Sequence, residues 1–257
     1  MKNKIGKNTI ISDTVSMEEN VEIGDNVILE GSINIGAGTK IDHGVIIRGK
    51  TKIGKNNWIY PNCIFGTGPQ HVSFKEKDVK NSVKKFGMIE IGDNNIIREF
   101  TTMHLPTVKK KTFVGSNCYI MAYCHIAHDA IVHDNVVMAN KTTLSGHVEI
   151  FNNANLGLDN NIHQYCKIGA YSMIGMGNSI SKDVLPFSII NKQEFTKINS
   201  IGLLRNKIKK SDIKNIEKIY EEKFPIKIAK EWYEKEIINF MKKSSRGIYF
   251  PIFNKNK

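Results

Sequence analysis

The sequence has no apolar run that approaches the roughly twenty residues of a membrane-spanning helix, so we expect no membrane span. Its four cysteines, Cys63, Cys118, Cys124 and Cys166, lack CxxC spacing, which indicates reduced thiols rather than a disulfide framework. The first residues show no apolar segment typical of a signal peptide. No nucleic-acid-binding motif is recognisable, and no aromatic platform accompanies the basic residues. These absences favour a cytoplasmic protein that does not bind nucleic acid.

The net charge of +12 is concentrated near the end of the chain. From Lys192 onward, 17 Lys and Arg stand against 8 Asp and Glu. A basic region of this kind suits an acidic partner or phosphate groups, and a merely solvated cationic surface gives the same composition.

The strongest pattern is an aliphatic residue at every sixth position between residues 114 and 182. Helices repeat at 3.6 residues and half-buried strands at 2, so neither explains it. The pattern is typical of a hexapeptide β-solenoid, in which each short strand points one aliphatic residue inward. Three strands make one coil, so positions eighteen apart should lie above one another. The repeating residues are Val114, Ile120, Ile126, Val132, Met138, Leu144, Ile150, Leu156, Ile162, Ile168, Ile174 and Ile180.

The same repeat occupies the N-terminal part of the chain, from Ile5 to Ile59, and resumes at Ile91 and again at Val114. The gaps before these two points, 32 and 11 residues, are not multiples of six. We therefore predict loops extruded at about 62–88 and 105–112, and long loops in a compact repeat are usually functional.

The repeat ends after Ile180, which predicts a solenoid over 1–190 and a small helical domain over 191–257. We expect the helical domain to cap the solenoid. The predicted helices are a short one near 199–209, a second from the N-cap Ser211-Asp212 to Phe224 before Pro225, and a third over about 226–243. Residues expected near one face of the third helix are Ile228, Trp232, Ile237, Ile238 and Met241.

Four histidines flank one column of the predicted solenoid: His125, His128, His147 and His163. Adjacent strands stack about 4.8 Å apart, so we expect these imidazoles to form a row along one edge. Asp129 follows His128, and a neighbouring carboxylate fixes the tautomer of an imidazole and raises its basicity. Two chemistries fit such a row: a zinc site, as in solenoid hydratases, or general-base catalysis of acyl transfer.

Several stretches together resemble the UDP-N-acetylglucosamine O-acyltransferase family that begins lipid A synthesis. The resemblance implies an all-β left-handed parallel β-helix with a small helical C-terminal domain, although parallel crossovers are usually right-handed. It also implies a homotrimer with active sites between subunits, acyl carrier protein as the acyl donor, and no cofactor or metal. The stretches are His125-Ile126-Ala127-His128-Asp129, Ser145-Gly146-His147-Val148, Ile162-His163-Gln164-Tyr165-Cys166, Ile198-Asn199-Ser200-Ile201-Gly202-Leu203-Leu204-Arg205 and Ser245-Arg246-Gly247.

The resemblance also implies roles for individual residues. His128 would be the general base, Asp129 would orient it, and the backbone amide near Gly146 would stabilise the oxyanion. The remaining site residues would bind the substrates: His125 and His147 the sugar and acyl group, and His163, Gln164, Asn199 and Arg205 the nucleotide sugar, with Gln70 and His71 in the first extruded loop.

The chain departs from the family where the sugar is recognised. His71 and Ser73 stand at an acidic and a lysine position, and Leu105-Pro106 replaces an arginine–glycine pair. Lost cations weaken binding of a doubly charged pyrophosphate unless Lys75 or Lys109 substitutes. We therefore leave open whether the acceptor is UDP-N-acetylglucosamine, its 3-amino analogue or another nucleotide sugar, and whether oxygen or nitrogen is acylated.

Met176 aligns with the residue that limits acyl length in the family. A methionine fills a channel that a glycine leaves open, so we predict an acyl group of about ten carbons or fewer.

Three other interpretations remain. The first is an acetyl-CoA-dependent nucleotide-sugar N-acetyltransferase on the same fold. The second is a zinc-dependent solenoid hydratase, and the third is a purely structural solenoid. The order of the motifs favours the acyl-carrier-protein-dependent enzyme.

Overall fold

A computed structural model describes residues 2–72, 74, 87–226 and 228–250. The short strands form three sheets, and through most of the chain consecutive strands belong to sheets A, B and C in turn. Sheet A contains β1 (Lys4–Ile5), β4 (Glu22–Ile23), β7 (Lys40–Ile41), β10 (Trp58–Ile59), β13 (Ile96–Ile97), β16 (Tyr119–Ile120), β19 (Val137–Met138), β22 (Asn155–Leu156), β25 (Met173–Ile174), β27 (Ser188–Asn191) and β28 (Glu194–Ile198). Sheet B contains β2 (Ile10–Ile11), β5 (Ile28–Glu30), β8 (Ile46–Arg48), β11 (Ile64–Thr67), β14 (Thr102–His104), β17 (His125–Ile126), β20 (Thr143–Leu144), β23 (Asn161–Ile162) and β26 (Ser179–Ile180). Sheet C contains β3 (Val15–Met17), β6 (Ile33–Ile35), β9 (Thr51–Ile53), β12 (Met88–Ile91), β15 (Lys111–Val114), β18 (Ile131–Val132), β21 (Glu149–Ile150) and β24 (Lys167–Ile168).

The register confirms the predicted parallel β-solenoid. Ile126 pairs with Leu144, and Leu144 pairs with Ile162, so residues eighteen apart stack directly. The repeating aliphatic residues from Val114 to Ile180 are buried, and together they form a continuous core. Ile5, which lies at the open end of the coil stack, is 54% exposed.

Both extruded loops are shorter than predicted. The strand β11 continues to Thr67, so the first loop leaves the solenoid after that residue rather than at 62, and most of it lies outside the described residues. The second loop covers only 105–110, because Lys111 and Thr112 already pair with Met88 and Ile89 in β12 and β15. Strand pairing thus extends to residues that do not carry the aliphatic repeat, such as Lys111 and Thr112.

The chain after β28 forms helices α1 (Ser200–Arg205), α2 (Lys210–Glu221) and α3 (Trp232–Lys243). The predicted N-cap at Ser211-Asp212 is wrong: α2 begins after Lys209, and Asp212 lies in its first turn. A carboxylate in that turn still stabilises the helix through its dipole. The helix ends before Pro225, as predicted, but three residues earlier than Phe224.

Helix α3 starts six residues later than predicted. A capping box between Glu231 and Glu234 sets its first residue at Trp232, which leaves Ile228 outside the helix and 76% exposed. The buried face is formed by Tyr233, Ile237 and Phe240, so of the predicted residues only Ile237 is buried. These side chains join a second apolar cluster that includes Leu185, Phe187, Leu203, Ile216 and Tyr220.

Within the described residues, none of the helices is long and apolar enough to span a membrane.

Candidate active site

His128 and Asp129 lie at the corner that follows β17, and both are buried. His128 Nδ1 is 2.8 Å from Asp129 Oδ2. An ionised carboxylate only accepts hydrogen bonds, so the imidazole proton resides on Nδ1 and donates to Asp129. The Nε2 atom of His128 therefore keeps its lone pair, which is the requirement for a general base.

The second extruded loop holds the Asp129 carboxylate. The backbone amide of Thr107 donates to Oδ2 at 3.0 Å, and the amides of Val108 and Lys109 donate to Oδ1 at 3.1 and 2.6 Å. The Thr107 hydroxyl also donates to Oδ2. Burial alone raises the pKa of this carboxyl, but the Thr107 and His128 hydrogen bonds and the loop amides outweigh it and lower the pKa to about 2. Asp129 is consequently ionised at any physiological pH.

The low pKa makes Asp129 a source of stability whose pH dependence can be measured. Its pKa falls from 3.8 to about 2 on folding, so the ionised form stabilises the fold at neutral pH, and this contribution is lost as the pH drops below 4 toward 2. We expect Asp129→Asn to lower the free energy of unfolding by about 2 kcal/mol at pH 7. Urea unfolding at several pH values measures the difference, which should shrink between pH 4 and pH 2; an unchanged difference would contradict the assignment.

One corner of the solenoid stacks three site residues directly. Asp129, His147 and Tyr165 are eighteen positions apart and share a left-handed backbone conformation, with φ of +62°, +65° and +66°. The Tyr165 ring lies parallel to His147 at 4.5 Å between centroids, and the His147 ring stands perpendicular to His128 at 5.3 Å. Burial lowers the pKa of His147, and the nearby Asp129 carboxylate opposes that shift. The column forms one wall of the site.

Gly146 lies directly beneath the His128 imidazole. A Cβ built there would meet the ring at 2.5 Å from Cε1 and 2.7 Å from Nε2, so any side chain displaces the base. Among the residues that the structure describes, none accepts a hydrogen bond from the Gly146 amide. An unpartnered amide next to a basic imidazole is the donor that an acyl-transfer oxyanion needs.

A second histidine pair joins His125, on the same coil as His128, to His104 on the coil below. His104 Nδ1 is 2.9 Å from the Gly68 carbonyl, His125 Nδ1 is 2.8 Å from the Thr102 hydroxyl, and their rings lie 5.1 Å apart. Burial lowers the pKa of both, that of His125 to about 4, so both imidazoles are neutral near pH 7. His71, from the first loop, meets the edge of His128 at 5.8 Å between ring centroids.

The four predicted histidines do not form a single row. They sit at different offsets from the core column, so His128 contacts His147, whereas His125 contacts His104. His163 is exposed and meets Arg246 instead, at 3.1 Å between Nδ1 and Nη2. The predicted row fails at His163, whereas His128 lies close enough to both His125 and His147 to disfavour their charged forms.

Within the described part of the chain, no hydrogen bond, ion pair or ring contact joins the other predicted substrate residues to the His128–Asp129 pair. Gln70, Gln164 and Arg205 are exposed, and Met176 is 72% exposed. Asn199 caps a helix, because its Oδ1 accepts from the Gly202 amide at the start of α1 at 3.1 Å. Lys75 and Ser73 lie outside the described residues.

Sequence reasoning missed Thr107, and it considered Lys109 only as a phosphate ligand. The Lys109 ammonium donates to the Asp129 carbonyl at 2.8 Å, so it is already in use. The loop has no repeat, and most of its contacts with the Asp129 carboxylate are made by backbone amides, which the sequence does not reveal. Tyr165 did have a signal, because it stands eighteen positions after His147.

Three side chains of the site could also hold a metal ion. His128, Asp129 and His147 offer atoms within 4.8 Å of one another, which is close enough for one. The Asp129 oxygens accept hydrogen bonds from Thr107, Val108, Lys109 and His128. These donors use the roughly four acceptor sites of a carboxylate, so a cation at Asp129 has to displace some of them.

Comparisons with known proteins indicate the family to which the chain is similar. Residues 111–146 match the bacterial transferase hexapeptide family, and residues 183–249 match domain 2 of the UDP-N-acetylglucosamine O-acyltransferases. The chain is 42% identical to the acyl-[acyl-carrier-protein]–UDP-N-acetylglucosamine O-acyltransferase of Aliarcobacter butzleri, over 96% of this chain and 98% of that protein.

Solved structures resemble it over nearly their full length. The UDP-N-acetylglucosamine acyltransferase of Francisella novicida superposes with a TM-score of 0.86 at 27% identity, covering 95% of this chain and 93% of that one. The UDP-N-acetylglucosamine O-acyltransferase of Moraxella catarrhalis gives 0.84 at 31% identity, covering 94% and 98%.

Proposed function

This chain belongs to the UDP-N-acetylglucosamine O-acyltransferase family, and we propose that it transfers an acyl group from acyl carrier protein to a hydroxyl or amino group of a UDP-linked amino sugar. The observation that supports this most strongly is the buried His128–Asp129 pair, whose free Nε2 lies over Gly146. The names of the relatives supply the class of donor and acceptor.

In the proposed reaction, His128 Nε2 takes the proton of the sugar hydroxyl or amine as that group attacks the thioester carbonyl. Asp129 stabilises the imidazolium that forms, because it already accepts the proton on Nδ1. The Gly146 amide donates to the oxyanion of the tetrahedral intermediate. On collapse the carbon–sulfur bond breaks, and His128 returns its proton to the leaving thiolate.

The acyl donor and the acceptor can be identified together. We expect the purified protein to acylate one or more UDP-linked amino sugars with acyl carrier protein thioesters, detected as a mass increase of one acyl group and release of the carrier thiol. Candidate acceptors are UDP-N-acetylglucosamine and its 3-amino analogue, and alkaline hydrolysis of the product separates an ester from an amide. Turnover with acetyl-CoA but not with any carrier thioester would instead support an N-acetyltransferase.

The acyl length is a separate proposal that depends on Met176. In the described chain this side chain is 72% exposed, so it is available to line a channel shared with another subunit of the homotrimer that we also propose. We expect turnover to be highest for chains of about ten carbons or fewer, because a filled channel rejects extra methylenes. Met176→Gly should shift the optimum toward longer chains. A clear preference of the unaltered protein for fourteen carbons would contradict the prediction.

A further inference from the structure

The chain after α3 folds back onto the last coil of the solenoid. We call residues 244–249 the C-terminal segment, and within it Ile248 pairs in parallel with Asp183. The Asp183 amide donates to the Gly247 carbonyl at 2.7 Å. Nothing in the proposed reaction uses this segment.

The side chain of Asp183 also holds the C-terminal segment. It is buried, and its Oδ2 accepts from the Ser244 hydroxyl at 2.7 Å and from the amides of Ser245 and Arg246 at 2.9 and 3.2 Å. Its Oδ1 accepts from the Lys167 amide at 2.7 Å, on the preceding coil. The backbone of Arg246 is therefore tied to the solenoid by a buried carboxylate.

From this fixed backbone the Arg246 side chain reaches His163. Its Nη2 lies 3.1 Å from His163 Nδ1. A guanidinium has only donors, so Nδ1 is the acceptor and the imidazole proton resides on Nε2. The Gln164 carbonyl lies 3.2 Å from the same Nδ1, but it cannot donate. Among the described residues, no carboxylate pairs with the Arg246 guanidinium.

Two further cations lie against the C-terminal segment. Lys167 Nζ donates to Ser245 Oγ at 3.2 Å, and Lys182 Nζ lies 5.9 Å from the centroid of the Tyr249 ring. A guanidinium without a counter-ion, beside an imidazole N–H and two lysines, suits a phosphate group.

This cationic surface lies within reach of a molecule bound at His128. Corner residues eighteen apart stack, so Gln164 is two coils beyond His128, with Gly146 between them. At the usual strand spacing, two coils amount to about 10 Å. A polar pocket of about 200 Å³, whose lining includes Ser145 and His163, opens along the same side. A sugar ring with its attached phosphate spans a similar length.

We propose that Arg246 is a binding residue for a phosphate of the acceptor, and that Asp183 is the positioning residue that holds Arg246 in place. With the sugar at His128, the phosphate lies against the Arg246 guanidinium and His163 Nε2. The affinity for a nucleoside diphosphate stands on these contacts, whereas their role in turnover rests on the proposed function.

Binding of UDP, which has no amino sugar to acylate, tests the phosphate site without catalysis. We expect Arg246→Gln to weaken UDP binding roughly tenfold by calorimetry, the usual value of one hydrogen bond between charged groups. Arg246→Lys should recover part of the loss, because it keeps the charge. Arg48→Gln is the matched control and should leave the affinity unchanged, because Arg48 is a half-exposed arginine that pairs with Glu30 in an early coil.

Asp183→Asn tests the positioning. An amide replaces one acceptor oxygen with an NH₂ group, so we expect UDP to bind roughly fivefold more weakly, with no further loss in an Arg246→Gln background. Hydrogen exchange of the Ser245 and Arg246 amides should become faster. Should Asp183→Asn fold poorly, Ser244→Ala removes a single donor to Asp183 and should weaken UDP binding by a smaller factor.

Turnover tests the role in the reaction. Arg246→Gln should raise the KM for the nucleotide sugar roughly tenfold with kcat unchanged, because the phosphate is not a reacting group. Absence of UDP binding by the unaltered protein, equal affinity in Arg246→Gln, an equal loss in Arg48→Gln, or additive losses in the double variant would overturn the proposal. UDP binding that depends on Arg246, in a protein that acylates no nucleotide sugar, would support the phosphate site and count against the proposed function.

Discussion

His128→Ala should lower kcat by roughly a hundred- to ten-thousandfold, the usual contribution of a general base. Its Nε2 is the proposed proton acceptor, and the carboxylate of Asp129 is a poor substitute, because hydrogen bonds from Thr107 and the loop amides hold its pKa low. Single-turnover measurement of acylated sugar is the direct readout. We expect the protein to remain folded, because His128 lies at a corner outside the aliphatic core.

A truncated side chain also removes one of the donors to Asp129, so a second variant separates the two effects. In His128→Asn the amide nitrogen takes the place of Nδ1 and donates to Asp129, but no basic nitrogen remains. We expect a loss as large as that of His128→Ala. His43→Ala, at a histidine whose side chain is 64% exposed and lies in an early coil, should leave turnover unchanged. Near-normal turnover in His128→Asn would refute the assignment of the base.

Gly146→Ala should lower kcat roughly a hundredfold while leaving the fold intact. The added methyl group would stand 2.5 Å from His128 Cε1, so the imidazole has to move. A displacement of about 1 Å in a reacting group costs about this factor. Gly146 is not in the left-handed backbone region, so alanine introduces no backbone strain. The backbone amide of residue 146 remains in place in this variant. A loss of turnover therefore reports the displacement of His128.

Combining this change with the loss of the base tests that reasoning. If Gly146→Ala acts by moving His128, the double variant with His128→Asn should be no slower than His128→Asn alone. A further hundredfold loss in the double variant would show that Gly146 acts through some other group.

The solenoid was predictable because its core requires an aliphatic residue at a short and regular interval along the chain. Each strand must supply one aliphatic residue, so the six-residue repeat and the stacking of Ile126, Leu144 and Ile162 are visible without coordinates. The helical ends were less predictable. The start of α3 depends on the Glu231–Glu234 capping box, which the longer apolar pattern obscured.

The site was predictable in its residues and less so in its geometry. His128, Asp129, Gly146 and His147 come together as expected, but His163 lies against Arg246 instead. The loop contacts that fix Asp129 come from the Thr107 hydroxyl and from the backbone amides of 107–109. Almost any residue offers a backbone amide, so the sequence does not reveal those contacts.

The most direct test of the central claim is an experimentally determined complex with the acceptor sugar. We predict that the hydroxyl or amine to be acylated lies about 2.6–3.2 Å from His128 Nε2, the range of a hydrogen bond to a general base. A bound sugar whose reactive group lies beyond reach of His128, or against a different acid or base, would contradict it.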